Sequence, residues 1–162
     1  MGVVIATTCA RCGSSRDAGA GLCAACDDRA PLRYYAEYGK RYAARDLDAF
    51  MELFADGWTM VIRSAGAAIE TIDVATCRAW TASVYAVSPD VRFAIDEVLA
   101  CDERVLAMRA SYHGQGPGGR GEFAYVAGFV TVVERGHSMH TEQFEYDDDA
   151  AMLARYTELT RG

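Results

Sequence analysis

The sequence predicts an α+β domain, with helices in the first half of the chain, an antiparallel meander of strands in the second, and a small cysteine-rich segment ahead of both. Three observations carry this reading. Tyr34, Tyr38 and Tyr42 recur at i, i+4 and i+8 with Tyr35 alongside, the spacing of one helical face. From Val91 onward, long runs rich in Val, Phe, Tyr and Thr alternate with Gly- and Asp-containing turns. Four of the six cysteines stand in the first 26 residues, in two C-x2-C pairs.

Residues 1–30 have Ile5 and Leu22 as their bulkiest aliphatic side chains, too little apolar surface to order a segment unaided. At Pro31 the composition shifts to Tyr, Leu, Phe and Val, which divides the chain into a 1–30 segment and a 31–162 domain. Pro31 suits the first turn of a helix, where its missing N–H costs nothing. Asp46 reads as the N-cap of a short second helix with Leu47, Phe50, Met51 and Phe54 on one face. Asp56-Gly57 closes it, the β-prone run Trp58–Arg63 follows, and Ser64–Ala68 is a turn. A third helix is expected from Asp73 to Ala86, carrying Val74, Cys77, Trp80, Val84 and Tyr85, with Ser88-Pro89-Asp90 breaking it. Strands are expected at Val91–Ala100, Arg104–His113, Glu122–Glu134 and Ser138–Tyr146. The acidic run 147–149 suits the N-terminus of a last helix, Ala150–Thr160.

Hydrophobic residues at 51% and charged residues at 24% exclude intrinsic disorder. No apolar run nears the ~18 residues needed to cross a bilayer, and Met1–Thr8 lacks the basic start of a secretory signal. The net charge of −7 argues against nucleic acid, whose phosphates are bound by excess Lys and Arg. The expectation is a soluble cytoplasmic protein with neither a membrane nor a nucleic-acid partner.

Cys9, Cys12, Cys23 and Cys26 form C-x2-C, ten residues, C-x2-C. Each pair can aim two thiolates at one ion, and together they complete a tetrahedral four-sulfur site. Soft thiolates favour zinc, with iron second, and disulfides or a redox dithiol are the competing readings. Four protein ligands leave no open coordination position, so the zinc would be structural. Arg11, Arg16 and Arg29 balance Asp17, Asp27 and Asp28, which gives no electrostatic footprint for DNA and leaves protein docking or dimerisation open. Cys77 and Cys101 read as ordinary core or surface cysteines.

The stretches Ala44–Asp56, Ser88–Phe93, Asp102–Ala107 and Glu142–Asp148 stand in an order and at intervals that resemble the nuclear transport factor 2-like superfamily, and within it the SnoaL-like polyketide cyclase group. The resemblance spans Tyr38–Leu159. It implies a curved antiparallel sheet wrapped by N-terminal helices into a cone, with a deep cavity and often a dimer. It does not imply one chemistry, since members include ketosteroid isomerase, limonene epoxide hydrolase, polyketide cyclases and non-enzymes.

Strand alternation puts Arg109, Ser111 and His113 on one face and Met108, Ala110 and Tyr112 on the other, while Met139, Thr141, Gln143 and Glu145 share a face. The resemblance places Arg109 and Glu145 where epoxide hydrolases of the superfamily have an arginine and one aspartate. Ser111 stands where their other aspartate would be, which argues against epoxide hydrolysis. Tyr38 falls near the oxyanion-binding tyrosine of ketosteroid isomerases, but Ile62 replaces their base and Ala127 or Gly128 their second acid, which argues against steroid isomerisation. The expected catalytic set is Glu145 for acid/base work, Arg109 for electrostatic support, and two secondary candidates: Tyr38, whose hydroxyl would add a hydrogen bond, and His113, as a second proton carrier. Ser111, Gln143, Tyr42 and Trp58 are expected to contact substrate. His137 is expected on a turn, and His140 facing away from the cavity. Gly114–Gly121 lacks a phosphate-loop ending and reads as a mobile hairpin loop at the cavity mouth.

The resulting expectation is a cyclase or isomerase of secondary metabolism, acting on an apolar carbonyl or epoxide compound without an organic cofactor. The alternative is a non-catalytic ligand- or protein-binding module with the zinc knuckle as its docking element. Trp58, Phe93 and Phe129 filling the cavity, or Arg109 and Glu145 locked as an ion pair, would favour that alternative.

Overall fold

The computed structural model describes residues 29–63 and 70–162; the four N-terminal cysteines and the turn expected at Ser64–Ala68 lie outside the described residues. Helix α1 (Ala30–Ala44) has Pro31 in its first turn and ends at Arg45, which takes the left-handed conformation at φ 62°. Asp46 caps α2 (Leu47–Met51), its carboxylate accepting from the Ala49 N–H at 3.1 Å. Strand β1 (Phe54–Arg63) begins earlier than Trp58, because a register shift between Phe54 and Thr59 absorbs Asp56-Gly57 inside the strand. Strand β2 (Glu70–Asp73) has no counterpart in the sequence reading: it is four residues long and buries only Ile72. Asp73 then caps α3 (Val74–Val87), accepting from the Thr76 N–H at 2.8 Å. Strands β3 (Arg92–Cys101), β4 (Val105–Gln115), β5 (Glu122–Glu134) and β6 (His137–Phe144) follow, and Asp148 caps α4 (Asp149–Arg161).

The six strands form one curved, unclosed sheet in the order β2-β1-β6-β5-β4-β3. Every pair is antiparallel except β1 and β6, which run parallel, so the sheet is mixed and not the purely antiparallel one expected. Two register shifts in β3, between Ile95 and Glu97 and between Val98 and Ala100, allow the sheet to bend. The expected loop at Gly114–Gly121 is a β4–β5 hairpin tip closed by a short 3-10 turn at Pro117–Gly119.

The two faces of the sheet bury different partners. Helix α1 packs on one face around Leu32, Tyr34, Tyr35, Tyr42, Phe50 and Trp58, meeting Met108 and Ala110 of β4. Helix α4 covers the other, where Met152 joins Val105, Ala107, Val130, Val132 and Phe144. Gly128 permits that approach, since a Cβ there would sit 2.4 Å from Met152 Sδ and 3.0 Å from the Glu145 carbonyl oxygen.

Glu142 fastens the α4 side. Its carboxylate is 1% exposed, accepts from Arg63 Nε at 2.6 Å and Arg155 Nε at 2.7 Å, and lies 3.1 Å from His140 Nε2. Burial alone would raise its pKa, but the hydrogen bonds from His140, Arg155 and Arg63 outweigh burial and hold it at about 2. In the unfolded chain a glutamate ionises near ~4.3. The stability that this charge contributes is therefore complete above that value and lost as pH falls from there towards 2. Glu142→Gln is expected to lower stability by about 2–3 kcal/mol at neutral pH. The gap to the natural protein should narrow over the same acid window, which chemical denaturation at several pH values would measure.

Candidate functional site

Between α1, α3 and the concave face of the sheet lies a cavity of about 490 Å³. Helix α1 contributes Tyr35, Tyr38 and Tyr42; α3 contributes Cys77, Trp80, Thr81 and Val84. The sheet supplies Trp58, Met60 and Ile62 from β1, Met108 and Tyr112 from β4, Phe123, Tyr125 and Phe129 from β5, and Thr141 and Gln143 from β6. The helical period brings the tyrosines to one side of α1, and the strand period brings every second residue inward. No Asp, Glu, His, Lys or Arg lines the cavity among the described residues.

The aromatic rings pack on one another. Tyr38 meets Phe93 and Phe50 edge-on, with centroids 4.7 and 4.8 Å away, and stacks on Tyr42 at 6.1 Å. These contacts fix the Tyr38 hydroxyl 2.8 Å from that of Tyr112. Burial first drives both phenols well above their ordinary pKa; the charge of Tyr112 adds to the rise at Tyr38, whereas at Tyr112 the hydrogen bond from Tyr38 opposes it. They are neutral hydrogen-bond donors near pH 7, not bases. Cys77 is likewise neutral, its thiol pushed up to about 11 by burial.

Other polar groups on the wall are engaged within the protein. Thr81 donates to the Cys77 carbonyl at 2.9 Å and Ser83 to the Ala79 carbonyl at 3.0 Å. Trp58 Nε1 donates to Ser138 Oγ at 3.0 Å and Thr141 Oγ1 at 3.2 Å, and Thr131 lies within hydrogen-bond distance of both hydroxyls. Tyr125 is 43% exposed, and its phenol pKa is raised chiefly by burial, opposed by Gln143 and helped in smaller part by the charge of Glu145.

Of the residues expected from the sequence, Tyr38, Tyr42, Trp58 and Gln143 line the cavity. Arg109 and Ser111 do not. Both lie on the opposite face of β4, because Met108, Ala110 and Tyr112 are the set turned inward. Arg109 donates to Glu97 Oε2 at 2.8 Å and through two nitrogens to Asp149, with Tyr146 packed 5.7 Å from its carbon centre. Ser111 donates to Asp96 at 2.7 Å, and the Tyr146 hydroxyl donates to the same carboxylate at 3.0 Å. The group ties the first turn of α4 to β3 and β4. His113 is exposed at the outer end of β4, opposite Arg92 and Ala124. Glu145 is exposed one residue beyond β6.

Alternation defined two sets of β4 residues but not which set faces inward. The polar set was expected inside for its chemistry, whereas desolvation turns it outward and the apolar set with its one hydroxyl inward. Tyr112 was missed for that reason; Tyr125 of β5 and Cys77 of α3, the latter read as an ordinary core or surface cysteine, also line the cavity. Trp58 and Phe129 line the cavity and leave it open, and Ile62 faces it as the resemblance implied. His137, expected on a turn, is instead the exposed first residue of β6, just after the turn at Arg135-Gly136, and His140 bonds Thr59 and Glu142 away from the cavity.

Residues 32–141 match the SnoaL-like domain family, and the chain belongs to it. Solved structures share the nuclear transport factor 2-like, ketosteroid isomerase-like fold. A hypothetical protein with a ketosteroid isomerase-like fold from Catenulispora acidiphila, in complex with trimethylamine, is 18% identical over 76% of this chain and 92% of its own, with a TM-score of 0.54. The epoxide hydrolase/cyclase-like enzyme SalBIII, described in pyran ring formation in salinomycin, is 20% identical over 72% of this chain and 91% of its own, at 0.54. The BvnE pinacolase from Penicillium brevicompactum is 10% identical over 82% and 97%, at 0.59. No curated protein matches the chain.

Arg109→Ala is expected to act on the helix and not on the cavity. It should cost about 1 kcal/mol, since the ion pairs are partly solvated. Hydrogen exchange should quicken first in the α4 amides, 149–161, while the amides of α1 stay protected.

Proposed function

We propose that the protein is a small-molecule enzyme of the cyclase or isomerase kind, acting in secondary metabolism on an apolar compound that carries a carbonyl or epoxide oxygen. The observation that carries this reading is the Tyr38–Tyr112 hydroxyl pair, 2.8 Å apart on the wall of an aromatic cavity of about 490 Å³. A donor fixed in a site that excludes water stabilises charge developing on a substrate oxygen, at no cost in reorganisation when the reaction occurs. The aromatic walls would fold an extended substrate so that its reacting ends meet. Ring closure or isomerisation through an enol needs a proton at oxygen and another removed from carbon. The phenol pair supplies the first role, and Glu145, whose charge reaches Tyr125 at the opening, is the proposed acceptor for the second. The names of SalBIII and the BvnE pinacolase support chemistry of this kind on the fold. No organic cofactor is invoked.

Incubation with a panel of polyketone and epoxide compounds, read by chromatography with mass detection, tests the reading. Products isomeric with their substrates are expected. Tyr38→Phe and Tyr112→Phe should each lower turnover about a hundredfold, with melting temperatures close to that of the natural protein. Glu145→Gln should lower turnover without weakening substrate capture.

The second reading, a ligand-binding module, is favoured by one observation: no carboxylate or imidazole lines the cavity among the described residues. Tight capture of a panel compound that is returned unchanged would select it.

We also propose that Cys9, Cys12, Cys23 and Cys26 hold one structural zinc ion, on the strength of their spacing. Native mass spectrometry should find one zinc per chain, and none after Cys12→Ser with Cys23→Ser. A metal-free mass lowered by paired thiols would overturn it.

A further inference from the structure

We infer that the cavity selects its ligand by charge: it admits a flat, uncharged molecule presenting one acceptor oxygen to the Tyr38–Tyr112 pair, and refuses the same skeleton as an anion. The inference rests on the small-molecule reading above and narrows it.

The hydrogen bond between the two phenols uses one of their two hydroxyl protons. Among the described residues no acceptor takes the other. The hydroxyls of Thr81, Ser83 and Thr141 are engaged elsewhere. A buried donor without an acceptor is costly, and an ether, ester or ketone oxygen on a ligand would meet that need.

The wall offers nothing to an anion. A carboxylate would take the phenol protons but find no cation on the lining, where Arg, Lys and His are absent among the described residues. A flat neutral skeleton keeps contact with the aromatic walls at no such cost.

The protein would be titrated with three probes sharing one two-ring skeleton: naphthalene, methyl 2-naphthoate and 2-naphthoate. The ester is expected to bind at least about a hundredfold more tightly than the carboxylate at neutral pH. Tyr38→Phe with Tyr112→Phe should weaken the ester about tenfold and leave naphthalene unchanged. Tyr112→Phe alone, with a smaller loss, serves if the double variant does not fold. A carboxylate affinity within about tenfold of the ester's would overturn the charge selection, leaving the small-molecule reading in place. Equal losses for naphthalene and ester would overturn the role of the phenol pair. If neither ester nor naphthalene binds, the small-molecule reading itself fails, and this inference with it.

Discussion

A tyrosine is an apolar ring with a polar tip, and most of this structure follows from burying several of them at once. Tyr34, Tyr35 and Tyr42 of α1 are buried in the main core, and Tyr85 and Tyr112 meet them from α3 and β4. Their rings fill space as phenylalanines would, but each hydroxyl calls for a partner, and that of Tyr34 is buried with none. Tyr85 ends on the Tyr42 carbonyl, and Tyr38 and Tyr112 end on each other. The cavity lies where the rings stop. Its wall is apolar because aromatic sides form it, and its few polar points are the tips that remain.

The opposite face solves a different problem. There α4 must be held against a sheet whose outward residues include Arg109, Ser111 and Glu142. The ionic groups of that face pair with one another: Glu142 with Arg63 and Arg155, Arg109 with Glu97 and Asp149. Charge is thus separated from the cavity by the thickness of one sheet. The same alternation that supplies an aromatic interior places the ion pairs under the last helix.

Much of the fold was legible in the sequence because its signals are local. Pro31, Asp46, Asp73 and the acidic run before α4 mark helix starts by capping chemistry, and each begins a helix in the structure. Strand β2 was not legible, since four residues with one buried side chain carry no periodic signal. Nor was the parallel pairing of β1 with β6, which no local feature encodes. The site was half legible. Tyr38, Tyr42, Trp58 and Gln143 could be placed by helical and strand period, whereas the inward face of β4 depended on which side α4 would cover. That is a tertiary fact, and the charged side chain drew attention to the wrong face.

The parallel pair also bears on the order in which the molecule can be made. Trp58 reaches its hydroxyl partner Ser138 across 80 residues, so β1, paired with the short β2 alone, has no larger sheet to join until the last strand exists. The hairpins β3–β4 and β4–β5 close over short distances and can form as the chain emerges, giving α1 a surface to pack on. During synthesis Phe54 and Trp58 of β1 must therefore wait for β6, and the wall of the cavity is complete only once that strand is in place. A nascent chain of this kind is most exposed to misassociation just before it is complete.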